Sequence, residues 1–251
     1  MRSVLFSLCL FLAFHQGNAQ LFGPDTTEQF VYFDLSYAYQ TPGGDLAKRF
    51  GNSSRVGIAF GKKTTQNWTW QLDWFFTFSD NVVERDILAP FVSEQGFIIG
   101  TTGLPADVFL FQRGYSVYAT SGKVLNVLSA NKNSGIWLKG SLGYQQHHIR
   151  IEDRIKEVPL INDEYAKGYD RLSAGFSVME FVGYRYTDRN NRVNLFGGVE
   201  LTQSFTQDVR KYAYDLQGPV QPQSRNDLSV GLRLGFSLNI KSKVPDEFYY
   251  D

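Results

Sequence analysis

The stretch LSVGLRLGFSLNI, residues 228–240, decides how this chain is read. Leu228, Val230, Leu232, Leu234, Phe236, Leu238 and Ile240 share one parity, and Ser229, Gly231, Arg233, Gly235, Ser237 and Asn239 take the other. Successive side chains on a strand point to opposite faces, so this alternation predicts a strand with one apolar face. The run is also long. A strand that crosses a membrane takes about 9–11 residues, about twice an ordinary globular strand.

The same signal recurs upstream. Val31, Phe33, Leu35, Tyr37 and Tyr39 oppose Tyr32, Asp34, Ser36 and Ala38; Val56, Ile58 and Phe60 oppose Gly57, Ala59 and Gly61. Trp68, Trp70, Leu72, Trp74, Phe76 and Phe78 oppose Thr69, Gln71, Asp73, Phe75 and Thr77. Residues 115–128 give a poorer strand. Leu138, Leu142 and Tyr144 then oppose Lys139, Ser141, Gly143, Gln145 and His147. Leu172, Ala174, Phe176 and Val178 oppose Arg171, Ser173, Gly175 and Ser177, and Val193, Leu195, Val199 and Leu201 oppose Asn194, Gly198, Glu200 and Thr202. Together these predict eight strands.

The connections alternate in length. Short ones fall at 62–66, 129–135 and 188–191; long ones fall at 41–53, 81–114, 153–168 and 207–224. Short turns at one end and long loops at the other is the outer-membrane pattern. An even strand number puts both ends of the barrel on the short-turn side, expected to be the periplasm. No segment after the first twenty residues approaches the roughly 18 continuous apolar residues of a membrane-spanning helix, so any membrane crossing must be made by strands.

The first residues read as an export signal. Arg2 supplies a positive start, residues 4–14 are apolar but too short to span, and Gly17-Asn18-Ala19 offers small residues for cleavage before Gln20. The expected organisation is a signal peptide at 1–19, a barrel at 20–240 and a periplasmic tail at 241–251. The single cysteine, Cys9, falls within the signal. Lys+Arg and Asp+Glu are both 25, a balance that argues against a nucleic-acid partner.

Alternation alone does not say which face points outward. A soluble lipocalin-like barrel has the same period with its apolar face inside. Here the apolar face carries three tryptophans on one strand, too bulky for an eight-stranded interior. The opposite face is rich in Gly and Ser and carries Asp73, Lys139, Arg171, Glu200 and Arg233, which are expected to pair as a polar network in a narrow lumen. The fold class is therefore all-β: an eight-stranded antiparallel transmembrane β-barrel with short periplasmic turns and longer extracellular loops, bathed in outer-membrane lipid. Glu180 breaks the pattern. Counting from Leu172 puts it on the lipid face, where charge is costly, so a bulge turning it inward is expected; failing that, it marks a protein contact or a register other than the one counted.

At this point the chain resembles the small eight-stranded outer-membrane barrels of the OmpA/OmpX type, in the form common in Bacteroidota. Ser229, Gly231, Leu234 and Phe236 match that family's insertion signal of a polar residue, Gly, hydrophobic and aromatic at fixed spacing. The resemblance implies that the assembly machinery reads this last strand. Typical members end on the aromatic, whereas this chain continues to Asp251, which makes the signal internal.

Some barrels of this size are lipid-modifying enzymes. His147 and His148, with Glu152 and Asp153 nearby, are the residues to weigh, but a catalytic His needs a nucleophile and an orienting acid within reach. The expectation is no enzyme, no cofactor and no metal. A barrel this narrow is filled by its own side chains, which argues against an open pore. Two features point to protein partners in the outer membrane or periplasm. The long loop holds apolar runs that include Phe91, Phe97, Phe109 and Phe111, and the tail ends in Phe248, Tyr249 and Tyr250. The leading reading is a non-enzymatic structural or accessory subunit of an outer-membrane complex for protein secretion or barrel assembly. The alternatives are a solitary barrel for envelope integrity, adhesion or limited permeation, and a lipid-modifying enzyme.

Overall fold

The computed structural model describes residues 27–129, 131–161, 165–188, 194–215, 217–221 and 223–240. The leader, the cleavage site and the tail with Phe248, Tyr249 and Tyr250 lie outside these residues. Eight strands close a barrel: β1 (Phe30–Gly44), β2 (Ser53–Lys63), β3 (Trp68–Ser79), β4 (Val108–Leu125), β5 (Gly135–Asp153), β6 (Ser173–Thr187), β7 (Asn194–Asp208) and β8 (Arg225–Ile240). Each strand pairs antiparallel with its neighbours in sequence, and β1 closes on β8 from Val31↔Ile240 to Gly44↔Asp227. Closure leaves no unpaired strand edge, the condition for crossing lipid with strands.

The apolar parity is the outer face. Trp70 is 58% exposed, Leu72 59% and Leu232 67%. An all-round wall of exposed Trp, Phe, Leu and Val is incompatible with water and is what hydrocarbon solvates. The barrel is therefore a transmembrane one. The ends of β1 and β8 at Phe30 and Ile240 lie at the short-turn end, beside the 64–67 turn between β2 and β3.

Two strands depart from the expected bounds. β4 begins at Val108 rather than near residue 115, and it pairs with β5 without a break from Val108↔Asp153 to Leu125↔Ile136. Phe109 and Phe111 are therefore on a strand extension and not on a free loop. The weak alternation of β4 has a simple cause: Ala119, Ser121 and Lys123 face outward, while Tyr118 and Val124 face inward. The second departure concerns Glu180. The expected bulge is not there: Glu180 pairs with Gly140 on β5 and with Leu201 on β7 in uninterrupted registers. Met179 and Phe181 point inward and are buried, so Glu180 points to lipid.

The inner face is more aromatic than its Gly/Ser content implies. Tyr32, Phe75, Tyr118, Trp137, Phe181 and Phe196 are all buried there. Inward glycines make the room. A Cβ on Gly57 would collide with the Phe75 ring, so that ring sits against bare backbone. The long loops do not stand free in solvent. Val82, Ile87, Leu88 and Ile98 from the 80–107 connection pack with Leu46, Phe50, Ile149, Ile151, Val158 and Ile161 into a second core capping the barrel.

Candidate functional site

The lumen is built around Glu200 on β7. Its carboxylate pairs with Arg55 of β2 (Nη1–Oε1 3.2 Å) and with Arg233 of β8, and Gln40 of β1 donates to Oε1 at 2.8 Å. The acid and both guanidiniums are buried. The ring of Phe75 lies 4.2 Å from the Arg55 guanidinium and 4.6 Å from that of Arg233. Met179 Sδ faces both, accepting from Arg55 at 3.5 Å and from Arg233 at 2.9 Å. Below this layer Lys139 sits over Trp137 (3.8 Å) and Phe181 (4.6 Å). Asp73 accepts from Gln71 and Thr120, each at 2.6 Å. Near the short-turn end Arg185 makes no hydrogen bond among the described residues and instead rests on Tyr32 (4.5 Å) and Trp137 (4.7 Å).

Asp73, Lys139, Glu200 and Arg233 are all buried in the interior, where Glu200 and Arg233 pair with each other. Arg171 is not, and this is a correction. It precedes β6 with φ 52° and pairs with Glu84 (3.1 Å) and Asp215 (2.5 Å) in the loop layer. Parity fails as a guide there because Arg171 is not on a strand. Sequence reading also passed over Arg55, Gln40 and Arg185. Arg55 lies on the same parity as Gly57 and Ala59, so extending that strand by one step would have found it.

The mouth carries a second charged layer. Arg49 pairs with Glu84 (3.1 Å) and Asp208 (3.4 Å), Arg225 with Asp208 (2.7 Å), and Arg210 with Asp170 (2.5 Å). Ser173 Oγ accepts from Arg49 and Arg225, both at 2.8 Å. Burial pulls the Arg49 guanidinium below its ordinary value, and neighbouring Arg225 adds to that, while Glu84 and Asp208 oppose it. Above this lattice lies an open cavity of about 430 Å³. Within the barrel a cavity of about 20 Å³ remains beside Gln40, Arg55 and His147, room for about one water.

His147 points inward and His148 outward, as adjacent strand positions must. His147 Nε2 lies 2.9 Å from Asp227 Oδ2, which also accepts from Thr206 at 2.7 Å. The ring stands edge-on to Phe50 at 5.5 Å. Nδ1 has no hydrogen-bond partner among the described residues. A His–Asp pair is therefore present, but no hydroxyl is in place on its free nitrogen, and a nucleophile there is what the chemistry would need. The arrangement clips β5 to β8 and ties the mouth core to the barrel wall.

The candidate partner contacts are divided. Phe91 closes a 3-10 turn (Asp86–Phe91) and packs edge-on to Tyr169 at 5.3 Å, inside the cap. Phe109 and Phe111 stack at 6.4 Å on the outward face of β4. Phe97 immediately precedes a small hairpin whose strands pair Ile98↔Ala106 and Ile99↔Pro105. At that tip Phe97 is 40% exposed, Ile99 52% and Leu104 65%.

The fold and this filled interior define the class: a small outer-membrane-type β-barrel. Among solved structures the chain is similar to Neisserial surface protein A, with 12% identity and a TM-score of 0.50 over 84% of this chain and 97% of that one. It is also similar to a major outer membrane protein of Thermus thermophilus, at 9% identity and a TM-score of 0.44 over 84% and 99% of the two chains. The outer membrane protein OprG of Pseudomonas aeruginosa gives 11% identity and a TM-score of 0.41 over 86% and 98%. At 12% identity the likeness to Neisserial surface protein A is one of fold alone. No protein-family model matches the chain, and no curated protein matches it in sequence.

Proposed function

We propose that the chain is an integral outer-membrane barrel acting as a non-enzymatic structural or accessory subunit of a larger outer-membrane complex, one for protein secretion or barrel assembly. In this reading the capped, long-loop end faces the outside and both ends of the barrel face the periplasm. The observation that carries the proposal is the exposed apolar tip formed by Phe97, Ile99 and Leu104. Val82, Ile87, Leu88 and Ile98 of that loop are buried in the cap, whereas Phe97, Ile99 and Leu104, like Val83 and Val92 of the same loop, are apolar surface that the fold itself leaves uncovered. Such a patch, raised above the lipid on a short hairpin, marks an interaction site. The filled lumen supports the same reading, since space for about one water offers solutes no path.

The test is mild-detergent affinity purification of the tagged protein from native membranes with mass spectrometry. The wild type should carry a stoichiometric set of outer-membrane partners, and the variant F97S/I99S/L104S should lose most of them while remaining a folded, membrane-inserted barrel. Removing the whole 81–107 segment would be a poorer test, because Val82, Ile87 and Leu88 belong to the cap. A wild type that purifies alone, or a triple variant that keeps its partners, would sink the proposal in this form.

A further inference from the structure

The lipid-facing wall is not uniform. From β8 through β1 and β2 its middle band is Val230, Leu232, Leu234, Leu35, Ile58 and Phe60, all apolar. The opposite wall carries Glu180 at the centre of β6, seven residues from either end of Ser173–Thr187. Its neighbours along the strand on that face are Val178 and Val182, and across β7 it meets Leu201. Across β5 it meets Gly140, which in turn pairs with Ser121 of β4. No hydrogen bond or ion pair to Glu180 occurs among the described residues. The outward basic residue of this region, Lys123, is committed elsewhere, with its ammonium 5.1 Å from the Trp68 ring.

A carboxylate at mid-depth in hydrocarbon is costly unless something pairs with it, and ionisable groups placed there mark function by default. Gly140 and Ser121 leave a shallow notch beside Glu180, and small residues are what lets another membrane segment approach closely. We infer that the β4–β6 wall is an intramembrane interface in which Glu180 receives a Lys or Arg from the lipid-facing wall of a different outer-membrane protein. Charge complementarity selects this occupant. A second copy of this chain, related by a two-fold axis along the membrane normal, would set Glu180 against Glu180 at equal depth. The inference rests on the subunit reading and names the kind of partner and the surface it uses, a surface separate from the Phe97 tip.

The test places the photo-crosslinker p-benzoylphenylalanine at Val182, beside Glu180, and at Leu232 on the opposite wall as a control, in cells making the full chain. The Val182 probe should give one adduct with a different outer-membrane polypeptide, mapped by mass spectrometry to an outward strand position within a few residues of a Lys or Arg. The Leu232 probe should not give that adduct. Glu180→Leu should cut the Val182 adduct at least tenfold, with Glu180→Gln intermediate because its amide still hydrogen-bonds. Heat-modifiable migration on gels reports that both variants fold. Retention of the adduct in Glu180→Leu, equal labelling from both walls, or an adduct with this chain itself overturns the inference. If partners purify with the wild type and are lost in F97S/I99S/L104S but not in Glu180→Leu, the subunit reading stands and only this interface falls. If the wild type purifies alone, both fall.

Discussion

Truncation of Glu200 is the sharpest test of how the lumen is held. Glu200→Ala removes the carboxylate that faces both Arg55 and Arg233 and leaves two buried guanidiniums beside Phe75. Breaking a buried ion pair by removing one partner costs about 3–5 kcal/mol, because the remaining charge stays desolvated and unpaired. Here two charges are stranded, and each now feels the other without the intervening anion. The Phe75 and Met179 contacts exist in both proteins, so they offset nothing in the difference. The expected loss therefore lies near the upper end, about 4–5 kcal/mol. Gln40 would also lose its 2.8 Å acceptor. The assay is urea unfolding of the barrel refolded into short-chain lipid vesicles, followed by tryptophan fluorescence and gel migration. The contrasting variant R55M/E200M/R233M replaces the whole triad with apolar chains of similar length and should fall within about 1 kcal/mol of wild type or above it, since an intact buried triad adds little net stability. A Glu200→Ala barrel within about 1 kcal/mol of wild type would show that water or a rearranged interior solvates the arginines, and the account of the lumen as a packed plug would be wrong.

Three further outcomes follow from the same geometry. The purified wild type should give no stepwise conductance in planar bilayers; regular openings would show that the charged layers move apart. Gly57→Val should destabilise the barrel by about 1–3 kcal/mol through overpacking against Phe75, and pairing it with Phe75→Ala should recover part of that loss in the same unfolding assay. At the mouth, the Lys48 ammonium (2.7 Å) and then the Asn226 backbone N–H (2.9 Å) hold the Asp45 carboxyl below its ordinary value. A depressed folded-state value means that the clip is fully present above the ordinary carboxylate range and is lost as pH falls through the lower, folded value. The protection of the Asn226 amide, relative to its intrinsic exchange rate, should accordingly fall as pH drops beneath the ordinary carboxylate range of about 4 while amides in the middle of the barrel strands stay protected, and Asp45→Asn should remove that pH dependence.

Much of this was legible from local pattern. Period-two alternation named the residues of the outer wall, and the inward positions Asp73, Lys139, Glu200 and Arg233 followed from the same parity. The limits of that logic are equally specific. Arg171 was misplaced because parity carries no meaning once the chain leaves the strand, and its φ of 52° turns it toward Glu84 and Asp215. Residues 108–114 looked like loop because Val108, Phe109, Leu110 and Phe111 are apolar at both parities and so show no alternation; their strand state comes from pairing with 147–153 on β5. Glu180 was expected to be rescued by a bulge, and its unbroken pairing on both sides shows that the backbone makes no such adjustment.

The chain's own order of residues determined the number of strands, the face each turns to lipid and the end at which the long loops gather. These are local properties, set by which parity is apolar, by how bulky its side chains are and by the lengths of the connections. Closure of the barrel decided the rest. It brings Arg55, Gln40 and Arg233, distant in sequence, onto one carboxylate at Glu200, and it seats Phe75 against the bare backbone of Gly57. It also folds the apolar loop into a cap while leaving the Phe97 tip uncovered. Partners across a lumen are set by strand order and stagger around the whole circumference, and no single segment of sequence carries that information.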